Sequence, residues 1–203
     1  MIAVLDYGAG NLLNVEKALR FIGCDPAVTS DPEVLSAANA AVLPGVGAFG
    51  SAMGSLQQSG LVLPLLNFIG SGRPFLGICL GLQLLFEESE ETPGVKGLGV
   101  LKGKICRFPE KTGLKVPHIG WNSLNLKTQG GFFAGLEENP YVYFVHSYYL
   151  KAAERGIVAA TAEYGVEFDA AVQEKNITAV QFHPEKSGQT GLQMLRNFAA
   201  SIG

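Results

Sequence analysis

Cysteine is scarce in this chain: three in 203 residues, Cys24, Cys79 and Cys106, with no C-x-x-C pair among them. That spacing argues against a disulfide framework or a structural zinc knuckle and suits a reducing compartment. Histidine is as scarce, so chemistry that needs an imidazole has only His118, His146 and His183 to draw on. Basic runs are missing as well. Fifteen Lys and Arg against eighteen Asp and Glu leave a net charge of -3, and with the cations scattered there is no field for a phosphate backbone, so no nucleic-acid partner is expected. Long apolar runs are absent too. LVLPLLNFI is broken by Pro64 and Asn67, far short of the roughly 20 residues that cross a bilayer. The opening MIAVLDYGAGN has no positive n-region and too short an apolar run for a signal peptide. A soluble, cytoplasmic protein without a membrane partner is the expectation.

What is present is a large apolar fraction, 47%, enough for a chain of this length to bury roughly 70% of its unfolded surface. A single domain over residues 1–203 is expected. The first half alternates short apolar runs with helix-period segments: IAVL, NLLNVEKALRFIG, AVTS, DPEVLSAAN, AAVLP, two further helical stretches and PFLGI. That order predicts successive βα units on a parallel sheet. In the first helix Leu12, Val15, Ala18, Leu19 and Ile22 share a face, with Asn11 placed to cap it and Gly23 to end it. After Glu91 short alternating segments take over, such as LGVLKGKICRF, HIGWNSLNLK, YVYFVHSYYL and ITAVQFH, before GQTGLQMLRNFAASI returns to helical spacing with Leu192, Leu195, Phe198 and Ile202 on one stripe. The predicted fold is α/β, a central largely parallel sheet flanked by helices, with additional antiparallel strands in the second half.

GICLGLQLL, residues 77–85, places Cys79 where the buried strand PFLGI gives way to an amphipathic helix over LGLQLLFEE. A G-x-C-x-G frame there resembles the G-x-S-x-G elbow of hydrolases, where small residues permit a strained turn that holds a nucleophile over the edge of the sheet. A helix N-terminus behind the thiol favours the thiolate, and the N–H of Leu80 is on offer to an oxyanion. A free cysteine is also, more commonly, a small buried hydrophobe. His183 stands at the end of an apolar strand in QFHPEKS. Pro184 favours an extended backbone at His183, and residues i and i+2 of an extended chain point the same way, so Glu185 can orient the imidazole. A surface His and Glu beside a proline turn is the competing view. The zinc deaminase signature also opens on H-x-E but needs P-C-x-x-C downstream, which does not follow; α/β hydrolases place the acid before the histidine. The loop LPGVGAFGSAMGS lets backbone N–H groups approach a ligand closely. Gln83, one helical turn beyond Cys79, faces the same side. His146 reads as structural.

In this order, G-I-C-L-G-L-Q, P-G-V-G and H-P-E resemble the class I (triad) glutamine amidotransferases, and the likeness runs the whole chain. The resemblance implies cofactor-free hydrolysis of L-glutamine to glutamate and ammonia: attack by Cys79, proton relay by His183, orientation of His183 by Glu185, and hydrolysis of a thioester by water. It further implies an oxyanion held by Leu80 and the backbone of Gly45, Val46 and Gly47, and glutamine held by Gly47, Gln83, Ser147 and Tyr148. DYGAGN, PGVGAFG, GICLGLQLLFEESEETPGVKGLG, VPHIGWN, YFVHSYY and QFHPEKS carry a closer likeness, to members that serve as the glutaminase half of a heterodimer. Their partner is a (βα)8-barrel cyclase that receives the ammonia, and the glutaminase idles until the cyclase binds its nucleotide. Asn11, Asn14 and Trp121 are the residues expected to meet that partner, with Lys186 at the rim. A glutaminase of another synthase, a glutamine sensor without turnover, and a Cys-dependent esterase or peptidase on a related fold are the rival readings.

Overall fold

The run IAVL forms strand β1 (Ile2–Leu5), wholly buried, as a central strand of a parallel sheet is on both faces. In this computed structural model, which describes residues 1–110 and 113–202, Ala3 and Leu5 enter one core cluster while Ile2 and Val4 enter the other. Helix α1 (Leu12–Phe21) covers the second face through Val15, Ala18 and Leu19, as its spacing requires. Gly23 stops it at φ +88°, donating its N–H to Arg20 O at 3.0 Å. Asn11 occupies the N-cap position but makes no capping hydrogen bond. Its backbone, at φ -91° and ψ 68°, departs from the extended geometry in which a cap side chain reaches the first turn.

Strand β2 (Pro26–Thr29), helix α2 (Pro32–Ala37), strand β3 (Ala40–Gly45), helices α3 (Phe49–Gln58) and α4 (Val62–Gly70) and strand β4 (Phe75–Cys79) complete the first half. The β1–β2, β1–β3 and β3–β4 pairings are all parallel. Helices α2, α3 and α4 cover the first face, with Leu35, Phe49, Leu56, Leu65 and Phe68 in its core. A single turn, α5 (Leu80–Leu84), leads into a second half of β5 (Glu88–Ser89), β6 (Gly103–Arg107), β7 (His118–Ser123), β8 (Asn125–Leu126), β9 (Tyr141–His146), β10 (Tyr148–Ala152), β11 (Val158–Glu163), β12 (Glu167–Glu174) and β13 (Ile177–Val180). Of LGVLKGKICRF, only Gly103–Arg107 is strand.

Strand β13 returns to pair parallel with β4, Val180 beside Ile78, and so joins the halves into one mixed sheet. Among the described residues its order is β2-β1-β3-β4-β13-β12-β10-β6-β5, with β11 on β12 and β8 on β11. Strands β7 and β9 form a separate antiparallel ribbon. Helix α6 (Gly188–Ala200) closes the second face with Gly191, Met194, Leu195 and Phe198. The expected stripe is therefore rotated: Met194 is fully buried, while Leu192 and Ile202 lie at the margin. The close approach of Gly191 to the Pro184 carbonyl, 1.9 Å from where a Cβ would stand, fixes which face turns inward. Among the described residues no helix is long and apolar enough to cross a membrane.

Candidate active site

Strands β3 and β4 end side by side, Gly45 beside Cys79. Cys79 itself takes φ 55°, ψ -109°, a conformation that costs an L residue roughly 1–3 kcal/mol and persists only when its surroundings over-determine it. The flanking glycines supply those surroundings by clearing space, rather than by taking the strain. A Cβ on Gly81 would fall 1.8 Å from Leu43 O, and one on Gly77 would stand 3.0 Å from Gly81 O. The turn therefore folds back against the strands at distances only glycine allows. The amphipathic helix expected over LGLQLLFEE is instead the one turn of α5, every residue of it buried, and Leu85 and Phe86 are buried after it. With so short a helix, the dipole argument reduces to the first-turn N–H groups, of which Leu80's has no partner within the helix.

His183 stands just past β13, 2% exposed. Its Nδ1 lies 2.8 Å from Glu185 Oε1. The backbone of His183 is extended, as Pro184 dictates, but Pro184–Lys186 is a 3-10 turn, so Glu185 reaches the ring from a turn and not from an extended i+2 position. Burial by itself would lower the His183 pKa, yet the neighbouring Cys79 thiolate and Glu185 carboxylate outweigh it and raise it to about 10. Among the described residues His183 Nε2 has no partner at hydrogen-bond distance, so the thiol acts on the ring from a longer approach. The sulfur of Cys79 meets Gln181 Nε2 at 3.7 Å and Val145 O at 4.0 Å.

These groups open on a cavity of about 430 Å³. Val46, Gly47, Cys79, Leu80, Gln83, Ser147, Tyr148 and His183 are among the residues that line it. Gly45 is set back, packed under the Tyr7 hydroxyl, which donates to Pro44 O at 2.9 Å. Gln83 is 5% exposed and donates through Nε2 to Tyr148 O at 3.2 Å and Gln181 Oε1 at 3.0 Å. His146 also lines the cavity, held in a chain: its Nδ1 donates to Tyr148 O at 2.8 Å, and its Nε2 meets His118 Nδ1 at 3.0 Å. Burial lowers the pKa of His118 to about 4 and that of His146 to about 3. Two neutral rings, each donating once and accepting once, fit this chain.

The family model for glutamine amidotransferase class-I matches residues 3–202. The chain is a class I glutamine amidotransferase. Relatives named imidazole glycerol phosphate synthase subunit HisH are 54% identical in Methanothermobacter thermautotrophicus, covering 100% of this chain and 99% of theirs, and 51% identical in Geobacter metallireducens, covering 98% of each. The fold matches a solved glutamine amidotransferase with a TM-score of 0.77 at 20% identity, covering 100% of this chain and 98% of that one. It also matches a chain of the Thermotoga maritima PurLQS structure with a TM-score of 0.78 at 18% identity, with the same coverage.

Two residues of this amidotransferase's site, one lining the cavity and one buried behind the thiol, escape sequence reasoning. Glu91 lines it and accepts the Phe49 N–H at 2.7 Å, while Thr92 Oγ1 accepts the Gly50 N–H at 3.2 Å. The segment after α5 thus caps α3, directly behind the glycine loop. The acidic run EESEE was the available signal, but nothing in it says which carboxylate turns inward. Gln181, one residue past β13 and in contact with the Cys79 sulfur, is the other, hidden at the end of an apolar run. Of the residues expected at a partner surface, Trp121 is 56% exposed, edge-on to Tyr143. Asn14 is exposed on α1 and Asn11 half-buried at its head. Asn14 shares a groove with Glu185 and Gly188, and Trp121 would touch a Cβ placed on Gly188 at 3.8 Å. Lys186 lines the cavity, its Nζ 6.0 Å above the Tyr143 ring.

Proposed function

We propose that this amidotransferase hydrolyses L-glutamine through Cys79, His183 and Glu185, as the glutaminase subunit of imidazole glycerol phosphate synthase in histidine biosynthesis. The observation that carries the reading is convergence: a strained, glycine-cleared cysteine and a carboxylate-bound histidine meet at one cavity, in a chain about half identical over its length to HisH subunits. Cys79 attacks the side-chain amide carbon. With its pKa raised to about 10, His183 carries its proton at neutral pH, ready for the departing ammonia, and Glu185 holds Nδ1–H and stabilises the imidazolium. The same imidazole, now neutral, takes a proton from the water that cleaves the thioester. The N–H of Leu80 and the backbone of Val46 and Gly47, which line the cavity, receive the oxyanion, and Gly45 stands behind them. Gly47, Gln83, Ser147 and Tyr148 hold the substrate, and Glu91 supplies the negative charge that its α-ammonium seeks.

Ammonia released into water is protonated and lost to the reaction, so the subunit works against a partner in one cytoplasmic complex. Support for a docking face comes from the outward side of the β7–β9 ribbon, where Ile119 stands opposite Val145, Trp121 opposite Tyr143 and Ser123 opposite Tyr141. Ile119, Trp121 and Tyr141 are each more than half exposed, and Val145 also lines the cavity. Exposed aromatics beside an open site are the composition of an interface centre. In this reading the occupant is the (βα)8-barrel cyclase, with Asn11, Asn14 and Trp121 in the contact and Lys186 at the rim, and the 203-residue chain acts as one domain. Glutamate release is measured for the chain alone, with the cyclase, and with cyclase plus its nucleotide ligand. A low rate that rises steeply only in the third state is expected; a high rate alone, or none in any state, contradicts the assignment.

A further inference from the structure

Gln181 is a fully buried amide beside the thiol, 0% exposed, and no catalytic motif marks it. Strand β13 ends with Val180 beside Ile78, so the next residue outward stands next to Cys79. Its backbone N–H is already spoken for, donating to Ala170 O at 2.8 Å. A buried side-chain amide is tolerated only when its polar atoms are bonded. Leucine or methionine would fill the same volume without that demand.

The hydrogen bonds around the amide have a forced direction. A backbone carbonyl can only accept, and the Tyr148 oxygen lies 3.2 Å from one end of the Gln83 amide. Gln83 must present its NH2 there. The same NH2 lies 3.0 Å from Gln181, which must answer with its oxygen. The NH2 of Gln181 is then left at the sulfur of Cys79, 3.7 Å away. One carbonyl thus orients two amides in series and delivers an N–H to the nucleophile. The second sulfur contact, Val145 O at 4.0 Å, is an acceptor and serves the S–H form, whereas the N–H of Gln181 serves the thiolate.

Building on the reading of Cys79 as the nucleophile, we infer that Gln181 is a catalytic residue whose N–H, aimed by Gln83 and the Tyr148 carbonyl, stabilises the Cys79 thiolate. It acts before attack and again when the thiolate leaves the thioester. Gln181 lies outside the triad of Cys79, His183 and Glu185 and joins it through the direction of its hydrogen bonds.

The test is the rate of iodoacetamide alkylation at Cys79 in the full chain, followed by peptide mass spectrometry as a function of pH, for wild type, Q181M and Q181L. Methionine fills the space and donates nothing. Leucine is equally unable to donate and carries no charge, so it carries the test should Q181M fail to fold. Alkylation at neutral pH is expected to slow about tenfold or more, the size of a hydrogen bond to a charged group, with the difference closing at alkaline pH. Rates within about twofold of wild type at every pH would overturn the inference, and so would a loss of equal size at every pH, which marks packing alone. A wild-type Cys79 no more reactive than Cys24 would overturn the nucleophile reading itself.

Discussion

Strain at position 79 is borne by the backbone of the functional residue itself, and the glycines around it act as clearance. This makes Gly81 the least replaceable residue of the elbow. In G81A the new methyl would overlap Leu43 O, a backbone atom that cannot swing aside, so a loss of about 3 kcal/mol or more is expected in urea unfolding. The histidines set the dependence of stability on pH. His118 and His146, lowered to about 4 and about 3, stay neutral in the fold while the unfolded chain takes protons near 6.5. The unfolded state therefore binds more protons below pH 6.5, and stability falls as the pH drops from there toward 4. His183, raised to about 10, has the opposite sign: its contribution is complete below 6.5 and is lost as the pH rises toward 10. Urea midpoints should pass through a maximum near neutrality, and a midpoint that keeps rising between pH 7 and 9.5 would contradict this pairing of charges. At this scale the sequence speaks through its motifs. Cys79, His183 and Glu185 stand in recognisable frames, whereas Gln181 reads as one polar residue in an apolar strand, and its meaning depends on a parallel register that no local pattern encodes.

Among the elements, α5 differs most from what its spacing suggests. Helix α5 is cut to one turn because its residues are walled in by both core strands and α3, so apolar periodicity there records burial on all sides and not a half-exposed helix. The 3-10 turn at Pro184 likewise replaces an extended segment, since proline constrains the residue before it and not those after. Helix α3, in contrast, carries an avoidable weakness. Gly54 lies inside it, with nothing within 4 Å of where a Cβ would stand and no positive φ. G54A should therefore stabilise the fold by about 0.4–1 kcal/mol, read as a higher urea midpoint with unchanged slope, while glutamine hydrolysis is unaltered. Loss of stability in G54A would show that this face of α3 is tighter than its geometry indicates. The βα half was legible because each strand and helix has its own period. The antiparallel half was legible only as strands, and their order, with β13 returning to the middle of the sheet, was not.

At the scale of the whole molecule, the return of β13 between β4 and β12 is what brings residues 79 and 183 together across the sheet edge. The β7–β9 ribbon then extends the same edge into an exposed aromatic face. If the cyclase docks there, Trp121→Ala should weaken the complex by about 2 kcal/mol, roughly 30-fold in Kd, measured by titration calorimetry, and leave the isolated subunit's thermal stability almost unchanged, because the side chain is largely exposed already. An unaltered Kd would move the interface elsewhere. The central claim, hydrolysis through a thiol at the strained elbow, is tested most directly by glutamate release from Cys79→Ala in the nucleotide-bound complex with the cyclase. Activity is expected to fall to background while the variant still folds and binds its partner; glutamate formed at more than a trace of the wild-type rate would contradict the account.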